Sequence, residues 1–458
     1  MVFSSIIFLF RFLPITLFVY YLAPKKLKNA VLVVCSLFFY SWGEVKYFPI
    51  MIASVLVDYI VSLTIEKNRE KKGICKICMG ISVLFNLGML FFFKYTNFFD
   101  ENINALTGAH LSGIHLTLPL GISFYTFQTL SYTIDVYRGK TKAERNIVNF
   151  AAFVTLFPQL IAGPIVKYTD ISRELRERKI NFSQINEGIT LFIFGLGKKV
   201  LIANNIGSLW DQVQELGFSN ISTPLAWLGI LAYSFQIYFD FSGYSLMAIG
   251  MGKMLGFEFP QNFNYPYIAK SMTEFWRRWH ITLSSWFREY VYIPLGGNRV
   301  SKPRMYFNIF IVWAATGFWH GASWNFVLWG LFFFVFLVIE KTFLLKYLEK
   351  SHVLSHVYVC FFLVLSWALF AITDFSQLGI FLQKLFSFTS GTDWLYYLRN
   401  YFITFLIAIF CSVPLVEKWY GKVKKKTAVN LLILAVILIV SVAYLVDATY
   451  NPFLYFRF

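Results

Sequence analysis

Charged side chains are scarce in this sequence. They make up 14% of its 458 residues, against about a quarter in an ordinary soluble domain, so a soluble globular chain is excluded. Acidic residues are scarcer still, 24 against 41 Lys and Arg, leaving a net charge of +17. That surplus sits in short loops, as the positive-inside rule produces. No zinc-finger spacing, RNA-binding motif or soluble basic domain accompanies it, so no nucleic-acid partner is expected. The five cysteines are an odd number. Cys75 and Cys78 form a CxxC, but within an apolar segment and with no second pair or nearby histidine. Neither a metal site nor a redox motif is expected there; small buried residues of a membrane helix account for them. Short alternating strands of the barrel type are missing, as are an internal repeat, a linker to a soluble domain and a GxSxG nucleophile elbow. The first apolar run has no basic leader and continues into further membrane segments, so it does not read as a cleavable signal peptide.

What is abundant is apolar surface: 57% of the residues are hydrophobic and 20% aromatic. Apolar runs at 4–21, 74–93, 225–250, 309–339, 357–372, 401–415 and 428–445 reach or approach the roughly 20 residues a helix needs to cross a bilayer. The composition predicts an all-α polytopic membrane protein with about 11–12 transmembrane or re-entrant helices, joined by interfacial amphipathic helices. Basic clusters set the orientation. Lys25–Lys28, Lys67–Lys72, Arg138–Arg145, Arg173–Lys179 and Lys418–Lys426 are placed on the cytoplasmic side, which leaves both termini extracytoplasmic. The segment NFAAFVTLFPQLIAGPIVKY carries Pro158, Gly163 and Pro164. It is expected to be a broken or re-entrant helix lining a cavity, since irregular backbone at membrane depth needs protein or water to satisfy it. A proline-kinked crossing is the plainer alternative.

Only six histidines occur, and two of them, His280 and His320, lie in the stretch from Asn262 to Trp324. Phe275, Trp276, Trp279, Leu283, Trp286, Phe287 and Tyr290 recur at helical spacing, which predicts one amphipathic interfacial helix over 272–290. His280 stands one turn from Arg277 and Ser284 on a polar strip beside the aromatic one. His320 is set among Trp313, Phe318, Trp319 and Trp324, and Gly317 and Gly321 allow a second helix to come close. A desolvated histidine stays neutral and can serve as a general base. Taken from the residues alone, each histidine is about as readily structural: His280 an interfacial histidine bonded to a carbonyl, His320 one bonded in a helix crossing. Arg277, Arg278, Arg288 and Arg299 suit a phosphate-bearing donor, or are ordinary positive-inside charge. PLGGNR, with Gly296 and Gly297, reads as a turn rather than a phosphate loop.

The motifs FDFSGY (239–244), NFNYP (262–266), FWRRWHITLSSWFREYVYIPLGGNR, GFWHGASWN and FPQLIAGPIVKY together resemble the membrane-bound O-acyltransferases. Within that family they are similar to the bacterial branch that O-acetylates extracytoplasmic polysaccharides. The resemblance covers almost the whole chain and implies a single membrane domain, 1–458, with a catalytic core stretch at 259–325. It implies that His320 is the catalytic histidine, that His280 is its second polar position, and that the two meet in a central tunnel open to both sides of the membrane. Acetyl-CoA is the implied donor, entering beside Arg277, Arg278, Trp279, Ser284, Arg288 and Arg299. An acyl carrier protein, used by the cousins that D-alanylate teichoic acid, is the alternative, and Leu246 leaves the substrate class open. The tail 447–458 ends in an F-x-Y-F-x-F sequence that resembles an acyl-relay motif, with Tyr455 transiently acylated; an aromatic interface anchor is its bland counterpart. A partner is implied for the last step, an extracytoplasmic SGNH-type acetyltransferase, alongside the membrane lipids. Direct transfer to a lipid or protein, and a transporter built on broken helices, are the rivals.

Overall fold

The computed structural model describes residues 2–108, 116–161, 163–447 and 454, and among them there are helices and no strand. Among the described residues seven helices are long and apolar enough to cross a membrane: Phe48–Lys67, Lys72–Thr107, Phe182–Leu216, Trp324–Leu348, His352–Ala371, Asp393–Cys411 and Thr427–Asp447. The larger number expected from the apolar runs differs for two reasons. Several runs fold as shorter helices, such as Phe8–Leu22 and Ile147–Thr155. Thr223–Leu255 is long but carries polar residues, among them Ser234, Gln236, Asp240, Ser242 and Ser245, all buried. The chain separates into two compact units, one of residues 1–192 and 245–260, the other of residues 193–244 and 261–458.

In the first unit the helices Phe48–Lys67, Lys72–Thr107 and Ile122–Tyr137 meet around a buried carboxylate. Asp58 accepts hydrogen bonds from Ser82, from Asn86 Nδ2 (2.7 Å) and from Thr133 Oγ1 (3.1 Å). A carboxylate inside an apolar bundle is tolerable only when its lone pairs are used in this way. The expected break lies nearby in sequence: Ile147–Thr155 stops, and a single turn, Phe157–Leu160, follows. Its freed backbone groups are met by side chains. Gln159 Nε2 donates to the carbonyl of Phe153 (2.5 Å), and the N–H of Phe157 donates to Ser36 Oγ (3.1 Å).

In the second unit the helices Lys302–His320 and Trp324–Ile339 form a tight antiparallel pair. A Cβ on Gly317 would stand 2.5 Å from the carbonyl oxygen of Phe326, so the close approach expected of this glycine is real. The single amphipathic helix expected over 272–290 is not formed. Met272–Arg278 and Ile281–Phe287 are two short helices, parted where Trp279 is extended and His280 takes the left-handed conformation, φ 42° and ψ 55°. The cause is tertiary. In a continuous helix the N–H of Ile281 would bond to the carbonyl of Arg277; here it donates to the carbonyl of Asn262 (2.9 Å), while the N–H of Asn264 takes the carbonyl of Arg278 (2.9 Å).

Candidate active site

His320 ends its helix, and Gly321 after it is extended. Its imidazole packs edge-on against Trp329 (ring centroids 4.9 Å apart) and Phe370 (5.4 Å). Trp319 lies 5.1 Å from the His320 ring and 5.9 Å from that of His280. One indole therefore touches both histidines, and the fold brings the two together as expected. Phe241 closes the other side of His280 at 4.7 Å.

The hydrogen bonding of His280 reveals its tautomer. Asn262, fully buried, presents one atom, Oδ1, to His280 Nδ1 (3.1 Å), to the hydroxyl of Thr282 (2.8 Å) and to the backbone N–H of Thr282 (3.3 Å). The backbone N–H can only donate, so that atom is the amide oxygen. His280 Nδ1 must then carry a proton, leaving Nε2 as the basic nitrogen. His280 lies outside the seven spans. Burial first, and then the neighbouring His320, push its pKa well below the ordinary histidine value. It is held as a neutral base.

A small cavity of about 20 Å³ opens beside His320, lined also by Ile237, Asp240, Phe241, Trp279, Trp329, Trp367, Phe370 and Leu454. That is room for about one water molecule. Among the described residues, His320 and Asp240 are its ionisable linings and the remainder is apolar or aromatic. Asp240 itself is paired with Lys199 at 2.5 Å and accepts the backbone N–H of Leu454 at 2.9 Å.

Of the residues expected to hold a donor, Trp279 lines this cavity and the four arginines do not. Arg278 is engaged by Glu274 (2.8 Å) and by the carbonyl of Asn264 (3.1 Å). Arg277, Arg288 and Arg299 are exposed, and Ser284 is half-buried, its N–H bonded to the carbonyl of His280. Tyr455 lies outside the described residues; Leu454 before it is described and buried. Sequence reasoning missed Lys199, Asp240 and Asn262 as parts of the site. Lys199 did carry a signal, a cation inside an apolar run, which is expensive and so marks a partner.

Comparison with known proteins identifies the family. The model of the "MBOAT, membrane-bound O-acyltransferase family" matches residues 144–355, which include both histidines. The chain is 41% identical over 399 residues to the probable alginate O-acetylase AlgI of Azotobacter vinelandii, covering 86% of this chain and 79% of the relative. It is 38% identical over 378 residues to a peptidoglycan O-acetyltransferase of Helicobacter pylori, covering 75% and 71%. With a teichoic acid D-alanyltransferase of Streptococcus thermophilus it shares 31% identity over 244 residues, covering 50% and 58%. The resemblance expected from the motifs is borne out: this chain is a multi-pass membrane O-acyltransferase and belongs to the membrane-bound O-acyltransferase family.

Proposed function

We propose that the protein O-acetylates a cell-surface polysaccharide, taking acetyl groups from cytoplasmic acetyl-CoA and passing them outward through Tyr455. The observation that carries this reading is the cavity itself, where His320 and Leu454, the residue next to Tyr455, line one apolar chamber. A phenol has a pKa near 10 and attacks a thioester only with a base beside it. An imidazole nitrogen of His320 takes the phenolic proton. The phenolate oxygen bonds to the acetyl carbonyl carbon, the C–S bond breaks, and the coenzyme A thiolate leaves and is protonated. His280, neutral and with Nε2 basic, supports this step from the far side of the Trp319 indole, which packs against both imidazoles. Acetyl-Tyr455 then gives its acetyl group to an extracytoplasmic partner of the SGNH type, which acetylates the glycan.

The similarity to alginate and peptidoglycan O-acetylases supports acetyl and polysaccharide over D-alanyl and teichoic acid, since the D-alanyltransferase match is weaker and shorter. The orientation follows the basic clusters, with the donor side cytoplasmic and both termini outside. Incubation with radiolabelled acetyl-CoA, followed by mass spectrometry of the C-terminal peptide, is expected to find an acetyl group on Tyr455 in the wild type and none in His320→Ala. Full surface acetylation by Tyr455→Phe, alongside its loss in His320→Ala, would refute the tyrosine relay. Movement of label across the membrane with no acetylated protein would refute acyl transfer through the chain altogether.

A further inference from the structure

Lys199 and Asp240 are both nearly fully buried, and they form an ion pair at 2.5 Å. Lys199 Nζ also donates to Asn204 Oδ1 at 2.8 Å. A buried ion pair is a poor stabiliser. Both charges lose their hydration, and apolar residues of similar volume often serve as well or better. What the pair provides is a second carboxylate oxygen of fixed position. While Oδ1 of Asp240 faces Lys199, Oδ2 accepts the peptide N–H of Leu454 at 2.9 Å. The acceptor is a carboxylate and both partners are buried, the setting in which such a bond is strongest. Asp240 lies beside Phe241, whose ring packs on His280, and it lines the same cavity as His320. A grip on Leu454 therefore acts one residue from the tyrosine.

We infer that the Lys199–Asp240 pair is a docking clamp for the C-terminal tail, with Asp240 holding the backbone of Leu454 so that Tyr455 is presented to the His320 cavity. Both are positioning residues: Asp240 fixes the tail, and Lys199, paired with its other oxygen, keeps Asp240 aimed. For its catalytic consequence the inference rests on the tyrosine relay proposed above. The docking itself does not require the tyrosine to carry an acetyl group.

The test uses the full chain and two double variants that remove the charges together, so that no orphan charge is left buried. Lys199→Met with Asp240→Leu deletes the acceptor. Lys199→Met with Asp240→Asn keeps a neutral one. Amide hydrogen exchange of the C-terminal peptide reads docking without reference to chemistry, and exchange of the 302–320 helix reports that the fold is intact. In the Leu variant the Leu454 amide is expected to exchange faster by on the order of ten- to a hundred-fold, the worth of a charge-assisted bond, and acetyl-Tyr455 to fall in parallel. The Asn variant is expected to recover much of both, which a purely space-filling role would not produce. Unchanged protection of Leu454 in the Leu variant, with the 302–320 helix still protected, would overturn the clamp. Full surface acetylation by Tyr455→Phe, with Leu454 still protected through Asp240, would instead overturn the relay and leave the clamp standing.

Discussion

Asn262 gives the sharpest handle on the two histidines. Its single oxygen serves three donors, His280 Nδ1, the Thr282 hydroxyl and the Thr282 N–H. Its own Nδ2 has no hydrogen-bond partner among the described residues. Replacing it with Asp keeps every one of these bonds and adds a negative charge at 3.1 Å from the imidazole. A carboxylate that close raises a histidine pKa by roughly 1–3 units, against the burial that now holds His280 low. In the wild type the folded-state pKa lies below the ordinary value of 6.5. The unfolded chain therefore binds the extra proton first as pH drops, and stability falls as pH falls below about 6.5. In Asn262→Asp the folded pKa moves back up toward the ordinary value, so this loss of stability at low pH shrinks. The acid limb of the pH–rate profile for coenzyme A release should move up by a comparable roughly 1–3 units. Asn262→Ala instead removes the acceptor that three buried donors share and should lose at least about 1–3 kcal/mol of stability. Superimposable pH profiles for the wild type and Asn262→Asp would refute the neutral, Nδ1-protonated assignment of His280.

Three further outcomes are expected. Glu340, buried, collects the N–H groups of Met272 (2.5 Å) and Thr273 (2.9 Å), the Thr273 hydroxyl (2.7 Å) and the Tyr358 hydroxyl (3.2 Å), and so caps the helix that leads to His280. Glu340→Ala should lose roughly 3 kcal/mol or more, two charge-assisted bonds' worth, measured as detergent-solubilised thermal stability, and Glu340→Gln distinctly less. Gly317→Ala drives a Cβ into the backbone of Phe326 and should lose about 1–3 kcal/mol. Gly88→Ala, with nothing within 4 Å of the new methyl, should be neutral or gain about 0.5–1 kcal/mol from helix propensity in the same assay. If Arg277, Arg288 and Arg299 meet the donor phosphates, alanine at each should raise KM for acetyl-CoA roughly two- to ten-fold with kcat kept; an unchanged KM in all three would leave them as topological charge only.

The sequence by itself determined the class of the molecule. Apolar runs and sparse charge allow little besides membrane-spanning helices, Pro158, Gly163 and Pro164 mark a break, and Gly317 marks a helix contact. Each is a local property, read along a few turns of one chain segment. The tertiary structure alone decided the rest of the site. The aromatic periodicity of 272–290 called for one helix, and it broke at Trp279–His280 because Asn262 and Asn264, distant in sequence, claimed its backbone groups. Arg278, a plausible phosphate ligand by type, is engaged by Glu274 and Asn264. Asp240 was visible within a motif and Lys199 within an apolar run, but their pairing, and the tail backbone set against them, joins residues more than two hundred positions apart in the case of Leu454. Periodicity and composition report which face of a helix is apolar. Which distant group meets a buried charge depends on how the helices pack, and that is settled in three dimensions.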